Sequence, residues 1–347
     1  MADVFSGMTP VTMAEWQSLV PDSDVAKKVF IQTVRDYQPF FDRATMVRGN
    51  DGQGMKGTLA DKYPEGQLVG INEGWDASTP TGRAVRYPSC IARDRSVIGK
   101  LQLERMPEKD RAPYRARKDQ MFIRGLTRGM VKRVFQGNPD KDPRDCLGLA
   151  NIVLPDKDNG AWKNSIIDAG GTVAGGSTST LTSIYFVNWH PEEMTLFFPE
   201  NGGAAGISVE VQKSPIYVPD ANGKMFPAYV TEFGYDLGVF AGNPENIVRI
   251  ANVDTSKITT AKGAADLLKL FVEARHRLRT DDFSHVGIYC TDQVGMIYDL
   301  QLLEKTKYTL EYKTFGKREG MLSFGGIPIY QYGTDVLNAS ESAITIS

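Results

Sequence analysis

Residues 108–136 read EKDRAPYRARKDQMFIRGLTRGMVKRVFQ, and this stretch decides the fold. Pro107 and Glu108 make a helix opening, and Gly137-Asn138-Pro139 make a stop. Phe122, Leu126, Met130 and Val134 recur every four residues, with Met121, Val131 and Phe135 alongside, which is the spacing of one apolar helix face. Pro113 lies early enough to be tolerated or to mark the true start. A helix of about 25 residues would be roughly 35–40 Å long, well beyond the globular mean. Gly125 and Gly129 each cost about 1 kcal/mol of helix propensity, which points to another backbone packed close, from this subunit or a neighbour. The helix also carries Arg111, Arg115, Arg117, Lys118 and Arg133, together with a row at four-residue spacing formed by Arg124, Arg128 and Lys132. That row suits nucleic-acid phosphate, or it is a solvated face with salt bridges to acidic neighbours.

Upstream, residues 49–103 are rich in Gly, Pro and Arg and poor in continuous hydrophobicity. Two extended candidates, QLVGINEG and RAVRYPSCIARDRSVI, flank DASTPTG, a run of turn formers. They read as a long polar hairpin that buries too little to stand alone. Just before it, GQGMKG (residues 52–57) has the G-x-G-x-x-G spacing of a dinucleotide cradle. Tyr63-Pro64 leaves no room for the helix that such a cradle needs, so Glu73 at about the right distance carries no weight. Gly52, Gly54 and Gly57 instead suggest a joint between arm and hairpin. Earlier still, Asp22-Ser23-Asp24 can cap a short helix, VAKKVFIQTVRDY, ended by Pro39.

Downstream the chain is strand-rich. LTSIYFVNW and MTLFF are apolar runs, whereas GISVEVQ and AYVTEFGYDLGVF alternate as half-buried antiparallel strands do. KGAADLLKLFVEARHRL is an amphipathic helix, and HVGIYC leads to a Thr291-capped helix, TDQVGMIYDLQLLEK. KYTLEYKT and FGGIPIYQYG close the chain. Partly segregated helices and strands make the class α+β.

The 347 residues have a net charge of −2, so nothing attracts nucleic acid or membrane in general. Cys90, Cys146 and Cys290 are far apart and odd in number, which fits a reducing compartment. The N-terminus lacks the apolar core of a signal peptide, and no stretch approaches the roughly 18 apolar residues of a membrane span. His190, His276 and His285 match no metal spacing, and neither a nucleophile elbow nor a P-loop is present. No catalytic residue, cofactor or metal is implied.

The order arm, long hairpin, long helix and mixed sheet body resembles the major capsid protein of tailed double-stranded-DNA phages, of Hong Kong 97-type fold. Local sequence is similar to the short-tailed, epsilon-fifteen-like group in VGINEGWDASTPTGRAV, GNPDKDPRDCLGLANIV, TSIYFVNWHPEEMTLFFPENGGAAGISVE, AYVTEFGYDLGVFAGNPENIVRIANV and SFGGIPIYQYGTDVL. The resemblance spans roughly residues 60–340. It implies an N-terminal arm at 1–48 and an extended hairpin loop at 49–104. A spine helix with the start of a peripheral domain follows at 105–165, then a sheet-rich axial domain with return strands at 166–347. It further implies pentamers and hexamers closing into an icosahedral shell around packaged DNA. Scaffolding, decoration and portal proteins are the implied partners, with no membrane, and the setting is the virion after synthesis in host cytoplasm. No fused scaffold is expected before the arm, and Lys56 and Lys62 are assigned no cross-linking role. Contacts between subunits are expected at Gly52, Gly54, Gly57, Trp75, Arg83, Arg86, Gly125 and Gly129, with Arg124, Arg128 and Lys132 luminal or salt-bridged. The rival readings are another virion component, such as a tail or decoration protein, and a soluble enzyme with an unrecognised site.

Overall fold

The computed structural model describes residues 11–12, 39–62, 66–76, 81–173, 179–199, 206–257, 265–304, 312–315 and 318–346. The short helix expected at 25–37 lies outside them. In chain order, strands β1 (Val11–Thr12) and β2 (Thr45–Arg48) precede a two-stranded hairpin, β3 (Gly54–Lys62) and β4 (Thr81–Pro88). Then come β5 (Cys90–Gly99), a short helix α1 (Lys100–Glu104) and the long helix α2 (Glu108–Gln136). One-turn α3 (Leu149–Ile152), β6 (Ile166–Asp168), β7 (Leu181–Asn188), β8 (Met194–Phe198), β9 (Ile207–Val211), β10 (Ile216–Pro219), β11 (Met225–Ala241) and β12 (Ile247–Asp254) follow. The chain closes with α4 (Leu267–Arg277), β13 (Val286–Thr291), α5 (Asp292–Glu304), β14 (Tyr312–Phe315), β15 (Arg318–Phe324) and β16 (Ile327–Tyr332). The Thr291 hydroxyl accepts from the Val294 N–H at 3.4 Å and so caps α5.

The long helix begins after Pro107 and stops at Gly137 as its sequence signals require, and at 29 residues it is about 43 Å long. Gly137 is needed for close approach, since a Cβ there would meet the Cys146 carbonyl oxygen at 2.4 Å. The buried face is rotated from the expected one. Ile123, Thr127, Met130, Val131, Val134 and Phe135 are buried, while Phe122 and Leu126 are half-buried and Met121 is exposed. Thr127 is accommodated because its hydroxyl donates to the Ile123 carbonyl at 2.7 Å.

Two mixed sheets form the body. In one, the 17-residue β11 is the common member: β5 and β9 flank its middle, β10 its start and β8 its end. Most of β11 is buried rather than half-buried as expected, because helix α2 covers this sheet. Arg115 of α2 anchors the crossing by donating to the carbonyls of Gln212 and Val230 and to the Thr231 hydroxyl. The other sheet runs β14-β15-β16-β13-β7-β12-β6. All eight residues of β7 are buried, because both faces are covered. Ile184 and Phe186 pack with Leu267, Phe271 and Tyr298 from α4 and α5. Tyr185 and Val187 face the larger core around Phe40, Phe135 and Trp189. There the Trp189 indole N–H donates to the Tyr289 hydroxyl at 2.8 Å, which satisfies two polar groups among apolar ones.

The C-terminal segment is tied down by a buried ion pair. Arg249 on β12 is buried and donates to the carbonyls of Ala150 and Val153, to the Ser183 hydroxyl and to Glu341 Oε2 at 2.9 Å. The Glu341 N–H donates to the Leu181 carbonyl, and Asn252 brackets Ile344 through both its backbone groups.

Candidate assembly surfaces

The hairpin is built differently from its sequence-based expectation. Its strands are GMKGTLADK and TGRAVRYP, whereas QLVGINEG is no strand but part of the tip, and CIARDRSVIG belongs to the body as β5. Along β3, Met55, Gly57 and Leu59 point inward and Lys56 and Thr58 outward, a period of two. Gly57 is inward because a Cβ there would lie 2.4 Å from the Phe240 ring. Gly54 would likewise press on the Tyr87 carbonyl oxygen at 2.4 Å, whereas Gly52 meets nothing within 4 Å. The expected joint is thus corrected at 54 and 57: both are packed strand positions, and neither has the positive φ of a turn glycine.

The hairpin base is fixed to the body. The Tyr87 hydroxyl donates to the Ala241 carbonyl at 2.9 Å, and its ring meets Phe240 edge-on. The Asn50 amide brackets Lys56 by two bonds of 2.8 Å to its backbone. Arg86 pairs with Asp51 at 2.8 Å, and Arg83 approaches Asp158 at 4.0 Å. Desolvation alone would raise the Asp51 carboxyl, but Arg86 and Lys56 beside it hold it below the usual range.

The tip is the reverse. The Glu73 carboxylate accepts from the Gly70 N–H at 2.7 Å, the Glu73 N–H returns to the Gly70 carbonyl, and the Gln67 side chain accepts from the Asp76 N–H. With its backbone turned on itself, the tip presents Leu68 at 106 %, Ile71 at 97 % and Trp75 at 75 % exposure. Leu101, Met121, Tyr217 and Met225 are also exposed, on α1, α2, β10 and β11. Sequence reasoning singled out Trp75 and missed the others. Leu68 and Ile71 were signalled only as apolar residues within the supposed strand.

On the spine, Gly125 meets nothing within 4 Å, and Gly129 lies 3.6 Å from the Tyr235 hydroxyl. In the basic row, Arg128 pairs with Asp335, and Lys132 adds to the charge holding that carboxyl below its usual range, after the Arg128 hydrogen bond as main cause. Arg124 is exposed on the same stretch. One group of metal-capable side chains occurs among the described residues: Cys90, Asp145 and Cys146, with ligand atoms within 4.8 Å of one another. Asp145 is already paired to Arg133 at 2.9 Å. No described helix is long and apolar enough to cross a membrane.

A hairpin projecting from its base, a spine helix and a body of mixed sheets define a capsid subunit of Hong Kong 97-type fold. The chain belongs to the family of major capsid protein GP7, whose model matches residues 22–345, and is a major capsid protein of a tailed phage. A chain of the bacteriophage Epsilon15 structure is similar at 25 % identity and TM-score 0.61, covering 86 % of this chain and 87 % of that one. The bacteriophage JBD30 capsid is similar at 8 % identity and TM-score 0.49, covering 85 % and 90 %. A comparison with curated proteins finds no match.

Proposed function

We propose that this chain assembles as pentamers and hexamers into a closed icosahedral shell around packaged double-stranded DNA. The hairpin tip lies across a neighbouring copy. The observation that carries this reading is the exposure of Leu68, Ile71 and Trp75 on a tip held by internal bonds between Gly70 and Glu73 and between Gln67 and Asp76. Apolar area left in water by one subunit favours burial by the next, at about 25 cal/mol per Å², and symmetry repeats each contact around the shell. Trp75 and the open faces at Gly52 and Gly125 are the contact positions that remain available, while Arg83 and Arg86 serve the hairpin base. Arm, hairpin, spine and sheet-rich body divide near residues 48, 104 and 165. Scaffolding, portal and decoration proteins are the partners of the assembly, which is made in host cytoplasm, and DNA is held without sequence preference.

Replacing residues 66–76 by a short Gly-Ser bridge tests this. Sedimentation and negative-stain microscopy should show shells, rings or tubes for the natural chain and dispersed subunits for the variant. Shells of normal size from the variant would refute the role of the tip.

A further inference from the structure

Cys90 opens β5 directly after the hairpin, and Cys146 lies in the loop that packs back on the C-terminus of the spine helix at Gly137. Both are buried, at 1 % and 0 % exposure. Their sulfurs and an Asp145 oxygen lie within 4.8 Å of one another. The Cys146 thiol also approaches the Arg133 carbonyl at 3.8 Å, and the Arg133 guanidinium stands on Asp145 at 2.9 Å. Cys290 is buried in the separate core beneath α4 and α5. Hydrogen bonding from Cys146 lowers the Cys90 thiol below its ordinary value, with the charge of Arg133 helping, against burial and the charge of Asp145, which both raise it. The thiolate is the reactive form of cysteine.

We propose that Cys90 and Cys146 are a peroxide-oxidisable pair that closes into an intrachain disulfide, tying the hairpin base to the end of the spine helix. A metal ion fits less well: the third donor, Asp145, is engaged by Arg133, whose positive charge opposes a cation. The sulfurs must close from within 4.8 Å to about 2 Å. In the first step the Cys90 thiolate attacks hydrogen peroxide: an S–O bond forms, the O–O bond breaks, and hydroxide leaves and takes a proton to become water. In the second step the Cys146 sulfur, giving up its proton, attacks the Cys90 sulfenic acid. The S–S bond forms, the S–O bond breaks, and the oxygen leaves as a second water. Two thiols have then lost two electrons to one peroxide. Such a bond would form as a particle passes from a reducing cytoplasm to oxidising surroundings. The pairing itself needs only the folded subunit, not the shell.

The test treats the reduced, folded natural protein with hydrogen peroxide, then denatures it, alkylates remaining thiols and maps peptides without reduction. The expected result is a Cys90 peptide joined to a Cys146 peptide, with Cys290 alkylated. In Cys146→Ser, Cys90 should stop as a sulfenic acid that dimedone traps. The proposal is overturned if Cys90 and Cys146 stay as alkylatable as Cys290, or if the links join different chains. It is equally overturned if the reduced protein retains one zinc ion through desalting and that ion protects both thiols. Should the serine variant not fold, mapping of the natural protein decides alone.

Discussion

Strand β7 and the hairpin tip both carry large apolar side chains, yet these meet opposite fates. Every side chain of β7 is buried, by helices on one face and the aromatic core on the other. Leu68 and Ile71 stand almost wholly in water. For these apolar side chains the difference lies in whether the described part of the chain covers them. Where it does, burial stabilises the subunit. Where it does not, the same free energy is left for association.

Substitutions at the two places should separate the two uses. Phe186→Ala, beneath Phe271 in the core, is expected to destabilise the subunit by about 3–5 kcal/mol, read by denaturant unfolding. Trp75→Ala should change subunit stability by no more than about 0.5 kcal/mol while reducing shell yield in sedimentation. A large stability loss at Trp75 would break the contrast. Glu341→Ala leaves Arg249 buried without its partner, and about 3–5 kcal/mol of destabilisation is expected, with freer proteolysis of the C-terminal segment. Gly57→Ala drives a methyl group into the Phe240 ring, costing about 1–3 kcal/mol through overpacking. Gly52→Ala, with open space around it, should be close to neutral by the same unfolding measurement.

The effect expected at Asp254 depends on pH. Burial would raise this carboxyl, but hydrogen bonds from Ser256, Thr180 and Lys257 overcome that and hold it at about 2, against an ordinary 3.8. A depressed folded-state value contributes stability above the unfolded value, lost as pH falls from about 4 towards 2. Asp254→Asn should therefore lower stability at neutral pH and flatten the stability curve across that acid window. An unchanged acid limb would show that the bonds to Asp254 do not favour its charged form.

The helix at 108–136 could be read from its own residues, because its start, stop and period are local signals. Which face it buries could not. Thr127 looks polar, and only its bond back to Ile123 lets it sit under the sheet, while Phe122 and Leu126 fit the period and remain half-buried. The hairpin misled for the same reason. QLVGINEG carries the strand formers Leu68, Val69 and Ile71 but pairs with no strand among the described residues, and GMKGTLADK has little hydrophobicity because its inward middle position must be Gly57. Of the expected contact residues, Trp75 is exposed, whereas Gly54 and Gly57 are packed within the chain.

By itself the sequence determined the class and the spine helix with its start and stop, since these rest on patterns within a few residues along the chain. Tertiary structure alone decided the sharing of β11 among four strands, the Arg249–Glu341 tie, the meeting of Cys90 with Cys146 and the exposure of the tip. Apart from the short β10–β11 turn, these depend on residues tens to more than a hundred positions apart, and no local pattern encodes which distant surface will arrive to cover, pair with or leave bare a given side chain.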